Sequence, residues 1–236
     1  LVIFSRDEQK QAQMHSRYQP KPPQLRFLLG DVRDREALRH AMVGCDTVIH
    51  AAALKRVEHS VYSTREIIRT NVDGTVNVVD AAIAAGVRRV VVVSSDKAVE
   101  PVNAYGVSKA MAETFAMQQN GYTVPRGMTI ACVRYGNVLG SRGSVVHVWR
   151  KTIAEQAPLR ITDREMTRFV ITLPDAADFV LKAAEHMQGG EVFVPRLPYA
   201  RTLTLASAVL ASEGQDIASN PLIYTGLRPG GEKLHE

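Results

Sequence analysis

Five residues in one short stretch carry side chains suited to proton chemistry. Ser95, Asp96 and Lys97 stand together, Tyr105 follows nine residues after Asp96, and Lys109 lies four residues beyond the tyrosine. Residues four apart share one face of an α-helix, so Tyr105 and Lys109 point at the same small volume. A tyrosine with a pKa of about 10 is a poor base near neutrality. An adjacent ammonium favours the phenolate and draws that value down, toward the range where a general base works. Ser95 either shares the proton or holds a substrate hydroxyl.

These residues need a rigid platform, and the flanking sequence predicts one. Residues 89–93 (Arg-Val-Val-Val-Val) have no polar alternation, the pattern of a central parallel strand covered on both faces. The strand ends at Ser94-Ser95-Asp96-Lys97, and a helical pattern then runs to about Gln119. Other strands are predicted at Leu1–Phe4, Leu25–Leu29, Asp46–Ala53 and Met128–Tyr135. Helices are predicted at residues 7–18 with Asp7 as cap, from Arg35 to Val43 with Asp34 as cap, and from Ser60 to Gly86. In the last of these, Val72, Val76, Val79 and Ala82 form the apolar stripe. Further helices are expected at Val145–Glu155 and Pro174–Met187, with charged loops at Thr162–Phe169 and Arg228–Leu234. Strand alternating with helix means an α/β, Rossmann-like, doubly wound parallel sheet, with ligands gathered at the carboxyl ends of the strands. Residues 1–140 read as the dinucleotide-binding domain. Residues 141–236 read mainly as a small substrate lobe, with some segments returning to the core.

The 236 residues are 45% hydrophobic, enough for one sizeable domain and a small lobe. The net charge of +5 comes without a Lys/Arg tract, which argues against a general nucleic-acid binder and suits anionic small molecules such as nucleotides. Cys45 and Cys132 lie in or beside strand-like runs and read as buried thiols in a reducing, cytoplasmic setting. No apolar run approaches 18 residues, so no membrane span is expected within this chain.

The ends of the first strands supply candidate cofactor contacts. Ser5-Arg6 closes the first strand, where an acidic residue would bind ribose hydroxyls and an arginine accommodates a 2′-phosphate, so Arg6 favours NADP over NAD. Asp31-Val32 after the second strand either edges an adenine ring or is a plain loop. Ala51, Ala52 and Ala53 let a flat group approach the backbone. Asn71 on a core-facing stretch needs a partner and would tie neighbouring strand ends together. His50 reads as a core histidine and not as a base. No Gly-rich phosphate turn precedes Gly30. The expectation is that the first strand, that turn and its helix, roughly 30 residues by the size of a βαβ unit, are missing ahead of Leu1.

Several motifs in one order make the chain resemble the extended short-chain dehydrogenase/reductases. They make it similar in particular to the inverting UDP-N-acetylglucosamine 4,6-dehydratase (5-epimerizing) group of bacterial polysaccharide biosynthesis proteins. The motifs include Phe4-Ser5-Arg6-Asp7-Glu8, Gly30-Asp31-Val32-Arg33-Asp34, Ala51-Ala52-Ala53-Leu54-Lys55 and Thr70-Asn71-Val72-Asp73-Gly74. Ser95-Asp96-Lys97-Ala98, Arg134-Tyr135-Gly136-Asn137-Val138, Met166-Thr167-Arg168-Phe169 and Glu232-Lys233-Leu234-His235-Glu236 continue it. Larger, membrane-anchored relatives often carry Met at the tyrosine position, so Tyr105 points to the short branch. The family's Arg-Pro-Gly-Glu-Lys stands here as Arg228-Pro229-Gly230-Gly231-Glu232-Lys233, with one extra glycine that shifts Glu232 and Lys233 relative to Arg228.

The resemblance implies a route from UDP-N-acetylglucosamine to a UDP-4-keto-6-deoxy sugar with C5 inverted, serving surface polysaccharide or flagellin glycan synthesis. C4 is oxidised transiently by NADP, water leaves across C5 and C6, and the hydride returns to C6. It assigns Tyr105 to the C4 hydroxyl proton and Lys109 to the nicotinamide ribose. Lys97 becomes the base at C5, and Asp96 the acid for the departing C6 hydroxyl. Cofactor contacts fall on Ser5, Arg6, Asp31, Val32, Ala51–Ala53, Lys55, Asn71, Tyr105 and Lys109. Substrate contacts fall on Lys55, Asn137, Arg142, Arg168, Arg228 and Glu232. No metal is implied, and a homo-oligomer is. Two other readings compete: a nucleotide-sugar 4-epimerase, which has no use for the Asp96–Lys97 pair, and an inactive fragment that has lost its cofactor.

Overall fold

A computed structural model describes residues 1–20, 22, 24–55, 62–141 and 143–236. Its largest sheet is parallel, in the order β3 (Thr47–His50), β4 (Arg89–Val93), β5 (Thr129–Val133), β9 (Val192–Phe193). A second parallel piece pairs β1 (Val2–Ser5) with β2 (Arg26–Leu29). Among the described residues, β1 and β3 each have a single strand neighbour.

The unbroken valine run of β4 is explained by what covers it. Successive side chains point to opposite faces of a sheet. Val90 and Val92 enter one apolar cluster with Val78, Val79 and Ala82, while Val91 enters another with Val180, Ala183 and Ala184. The first cluster is made with helices α2 (Arg35–Met42) and α4 (Gly74–Ala85), the second with α7 (Leu173–His186). Helix α1 (Glu8–Arg17) starts where the Asp7 carboxylate accepts from the Lys10 amide, and α2 where Asp34 accepts from the Glu36 and Ala37 amides. Gly86, in the left-handed conformation at φ 70°, ends α4.

A third cluster holds Trp149, Ile153, Leu159, Ile161, Ala206 and Leu210. It joins α6 (Val145–Ala154) and α8 (Thr202–Ser212) to the pair β7 (Leu159–Ile161) and β11 (Leu222–Tyr224). In a separate three-stranded sheet, β8 (Thr167–Ile171) lies parallel to β6 (Asn137–Val138) and antiparallel to β10 (Tyr199–Arg201). Among the described residues no helix is long and apolar enough to cross a membrane.

Three expected elements differ from the sequence reading. The strand expected over Asp46–Ala53 spans only Thr47–His50, and past it the chain is held by the Asn71 side chain, which bonds the N–H and C=O of Leu54. The helix expected from Ser60 to Gly86 contains a π-helical turn at Ile68–Asp73, between α3 (Thr64–Ile67) and α4. Its expected start at Ser60 lies outside the described residues. Of the expected stripe, Val79 and Ala82 are buried, with Val78 beside them, while Val72 and Val76 are half-buried. The loop expected over Thr162–Phe169 gives way to a strand at Thr167. Arg168 can sit buried there because its guanidinium is fully engaged by a later segment of the chain.

Candidate active site

The carboxyl end of β4 and the amino end of α5 (Ala104–Thr123) place the Ser-Asp-Lys and Tyr-Lys groups. The Ser94 amide bonds the Val133 carbonyl and the Asp96 amide bonds that of Tyr135, which extends the strand contacts past β4. A 3-10 turn over Asp96–Ala98 follows, capped by the Ser95 hydroxyl, which accepts from the Lys97 amide at 3.3 Å. Ser95 also donates to Asp96 Oδ1 at 2.7 Å. Asn103 caps α5 by accepting from the Gly106 amide at 2.9 Å.

Lys97 Nζ is bound on three sides. It donates to Asp96 Oδ1 and to Asn137 Oδ1, each at 3.0 Å, and faces Glu236 Oε1 at 3.4 Å. The structure thus places Asn137 on the lysine. Asp96 Oδ2 is buried and has no hydrogen-bond partner, so one carboxylate oxygen remains for a ligand hydroxyl.

Tyr105 is 8% exposed. The sequence reading expected a neighbouring ammonium to lower its pKa. Burial instead pushes the phenol up to about 12; the Ser95 hydroxyl opposes this, while Asp96 and Tyr135 add to it. Lys109, 3% exposed, gives its Nζ to the Val93 carbonyl at 2.6 Å, and burial draws its pKa down to about 8. Near neutral pH the Tyr105 phenol is therefore neutral, while Lys109 remains mostly an ammonium with a weakened hold on its proton.

A buried polar relay supports the helix. Asn71 donates to Ser108 Oγ at 2.9 Å, and Ser108 donates to the Tyr105 carbonyl at 2.7 Å. The Thr75 hydroxyl donates to the Asn71 carbonyl, so it accepts from His50 Nε2 at 3.0 Å, which fixes the neutral tautomer. Burial draws the His50 pKa down from 6.5 to about 3, with the Lys109 charge as a smaller cause. The folded state therefore takes up this proton less readily than the unfolded chain. Stability from His50 is fully present above pH 6.5 and falls by about 1.4 kcal/mol per pH unit on the way down to about 3. Urea unfolding between pH 7 and 4 should show that slope, and His50→Gln should flatten it.

The segment 228–236 closes the site from the far end of the chain. Arg168, buried in β8, donates to the carbonyls of Lys233 and Leu234 and pairs with Glu232 at 3.1 Å. Glu232 also meets Arg228 Nε at 3.6 Å, so the extra glycine leaves both arginines within its reach. Gly231, at φ 98°, lies so close to Val102 that a side chain has no room, and its carbonyl accepts from Asn103 Nδ2 at 2.9 Å. Lys233 donates to the Val99 carbonyl.

The remaining expected contacts have partners of their own. Lys55 Nζ reaches Ser141 Oγ at 3.4 Å. Arg142 lies outside the described residues. At the ends of β1 and β2, Asp31 is paired with Arg33 at 2.7 Å and Arg6 at 3.5 Å; the Arg33 hydrogen bond leads in holding its carboxyl below the usual range. Ser5 Oγ accepts from the Asp7 amide at 3.1 Å, and Val32 is buried beside Gly74. Ala51 and Ala52 are exposed and Ala53 half-buried, so the end of β3 is open. Sequence reasoning assigned no role to Glu236, Asn103 or Gly106. Glu236 carried a signal only as the last residue of a matched motif. Among the described residues no group of three or more His, Cys, Asp or Glu could hold a metal ion.

A family model described as "Polysaccharide biosynthesis protein" matches residues 1–236. The chain is 43% identical to a Campylobacter jejuni UDP-N-acetylglucosamine 4,6-dehydratase (inverting), over all of this chain and 68% of that protein. It is 44% identical to a Rickettsia conorii protein named UDP-glucose 4-epimerase, over all of this chain and 67% of that one. Among solved structures, Pen from Bacillus thuringiensis superposes with a TM-score of 0.92 at 34% identity, covering 98% of this chain and 72% of that one.

Proposed function

We propose, from the premise that this chain belongs to the polysaccharide biosynthesis protein family, that it is a nucleotide-sugar 4,6-dehydratase acting on UDP-N-acetylglucosamine with inversion at C5. One observation carries the reading: a carboxyl and an amine, Asp96 and Lys97, sit 3.0 Å apart on the turn that precedes Tyr105. A 4-epimerase needs one proton acceptor at C4. An acid and a base beyond it are needed only where a C–H and a C–O bond break together.

The donor set suits a nicotinamide dinucleotide at its ribose and nicotinamide ends. Arg6 is half exposed at the end of β1, where it would meet a 2′-phosphate, and Ala51–Ala53 leave an open approach at the end of β3. This favours NADP. Bound there, the cofactor would supply a reversible hydride acceptor.

Tyr105 accepts the C4 hydroxyl proton once a positive charge beside it lowers its proton affinity. Lys97 takes the C5 proton, made acidic by the C4 ketone. Asp96, protonated, gives its proton to the C6 hydroxyl, which leaves as water. Transfer of one proton from Lys97 to Asp96 across their hydrogen bond puts both groups in the states this step needs. Arg228 and Lys55 would meet the nucleotide and sugar, and Arg168 would hold the Glu232 segment beside them. We also read the protein as a cytoplasmic homo-oligomer: its two cysteines are unpaired, and Val107 and Met111, one turn apart on α5, are exposed.

The test is incubation of the full-length protein with UDP-N-acetylglucosamine in D₂O, followed by NMR. A 4-keto-6-deoxy product with deuterium at an inverted C5 supports the reading. The rickettsial relative favours the second reading, a 4-epimerase, and UDP-N-acetylgalactosamine as sole product would establish it. No turnover would return the chain to the inactive reading.

A further inference from the structure

The dehydratase reading gives no task to the carboxylate that stands beside Lys97 on the last segment of the chain. Glu236 has a side chain 3% exposed, as buried as the core. Its Oε1 faces Lys97 Nζ at 3.4 Å, and its Oε2 faces Lys233 Nζ at 3.3 Å but makes no hydrogen bond. The carboxylate is thus held between two ammonium groups by charge alone. It lines a cavity of about 30 Å³, roughly the size of one water, together with Lys97, Asn103, Arg168, Glu232 and Lys233. A buried carboxylate is costly unless paired, so its position beside the base is not incidental packing.

We infer that Glu236 is a positioning residue for Lys97 and stabilises the positive charge that forms on it. The inference rests on the reading of Lys97 as the C5 base. When the neutral Lys97 amine takes the C5 proton, the C5–H bond breaks, its electron pair passes toward the C4 ketone, and the nitrogen becomes an ammonium. At that moment Asp96 has its proton committed to the C6 oxygen. Glu236 is then the full negative charge already aimed at the lysine, and it needs no reorganisation to act. Lys233 balances that charge in the resting state. The logic matches a base oriented by a third group, with Glu236 in the supporting place.

The test separates this step from hydride transfer. The full-length protein is mixed in D₂O with the UDP-4-keto-6-deoxy-hexosamine in which C5 is not yet inverted, so that its acidic C5 proton lies on the face Lys97 would reach, and deuterium uptake at C5 is followed by NMR. UDP affinity is measured in parallel by calorimetry. Glu236→Gln, which keeps the shape and loses the charge, should slow uptake about 100-fold with UDP affinity unchanged, and Glu236→Asp should recover part of the rate. Lys97→Ala should abolish uptake. Wild-type uptake in Glu236→Gln, with Lys97→Ala inactive, overturns the inference and leaves the dehydratase reading standing. Equal loss of uptake and UDP affinity in Glu236→Gln also overturns it, because the residue then only seals the loop. Wild-type uptake in Lys97→Ala overturns the reading of the base itself.

Discussion

Replacing Lys97 with alanine should lower formation of the 4-keto-6-deoxy product by at least about 1,000-fold, within the range a positioned acid or base contributes. The change removes the amine and also strips partners from Asp96, Asn137 and Glu236, leaving two buried carboxylates without their shared cation. The diagnostic is which chemistry survives. Tyr105 and Lys109 stand on α5 and are tied to β4 and Asn71, so C4 oxidation does not depend on the lysine. The variant mixed with substrate should still show the absorbance of reduced nicotinamide, while product NMR shows no 6-deoxy sugar. A variant that retains full product formation would remove Lys97 from the mechanism.

The second large effect is expected at a residue with no side chain. A Cβ on Gly106 would lie 2.3 Å from the Lys97 carbonyl oxygen and 3.0 Å from Pro101 Cβ. Real contacts do not come that close, and the first obstacle is backbone. Gly106→Ala must therefore separate the start of α5 from the Asp96–Ala98 turn, moving Tyr105 away from Asp96 and Lys97. A displacement near 1 Å is enough to cost about 100-fold in turnover, and kcat should fall at least that far. Gly121, in the same helix with open space around it, is the control. Gly121→Ala should keep full activity and add about 0.5–1 kcal/mol of stability. Steady-state kinetics and urea unfolding on the two variants check both statements.

Much of this was legible in the sequence because local chemistry and global fold agree. The valine run of β4 announced a strand covered on both faces, and the caps at Asp7 and Asp34 stand where short polar side chains precede helical patterns. The Ser-Asp-Lys and Tyr-Lys groups were recoverable because they lie within 15 residues of one another. What escaped was set by contacts between distant segments. Arg168 looked like a loop arginine until residues 232–234 supplied its partners, and only those partners make a buried strand position tolerable. The direction of the Tyr105 shift was misjudged because burial, invisible in a four-residue spacing, outweighs the neighbouring groups. The π-turn at Ile68–Asp73 has no composition of its own, and Asn71 explains it only once Leu54 and Ser108 are seen around it.

The uneven burial of the strands has a consequence for cooperativity. β4 and β5 are buried on both faces, and their amides should exchange with solvent only when the whole molecule unfolds. β1 and β2 are joined to each other by their own ladder and by the Gln11 side chain, which donates to the Ser5 and Leu28 carbonyls. No residue of either strand is fully buried, so the pair should open at a lower free energy than β4 and β5. The acid–base centre therefore rides on the most persistent part of the molecule, and the end that would grip the adenosine ribose rides on the least. A dinucleotide settling on Arg6 would spend part of its binding energy ordering that pair, so its grip would be felt as protection of β1 and β2 well before it is felt at Lys97.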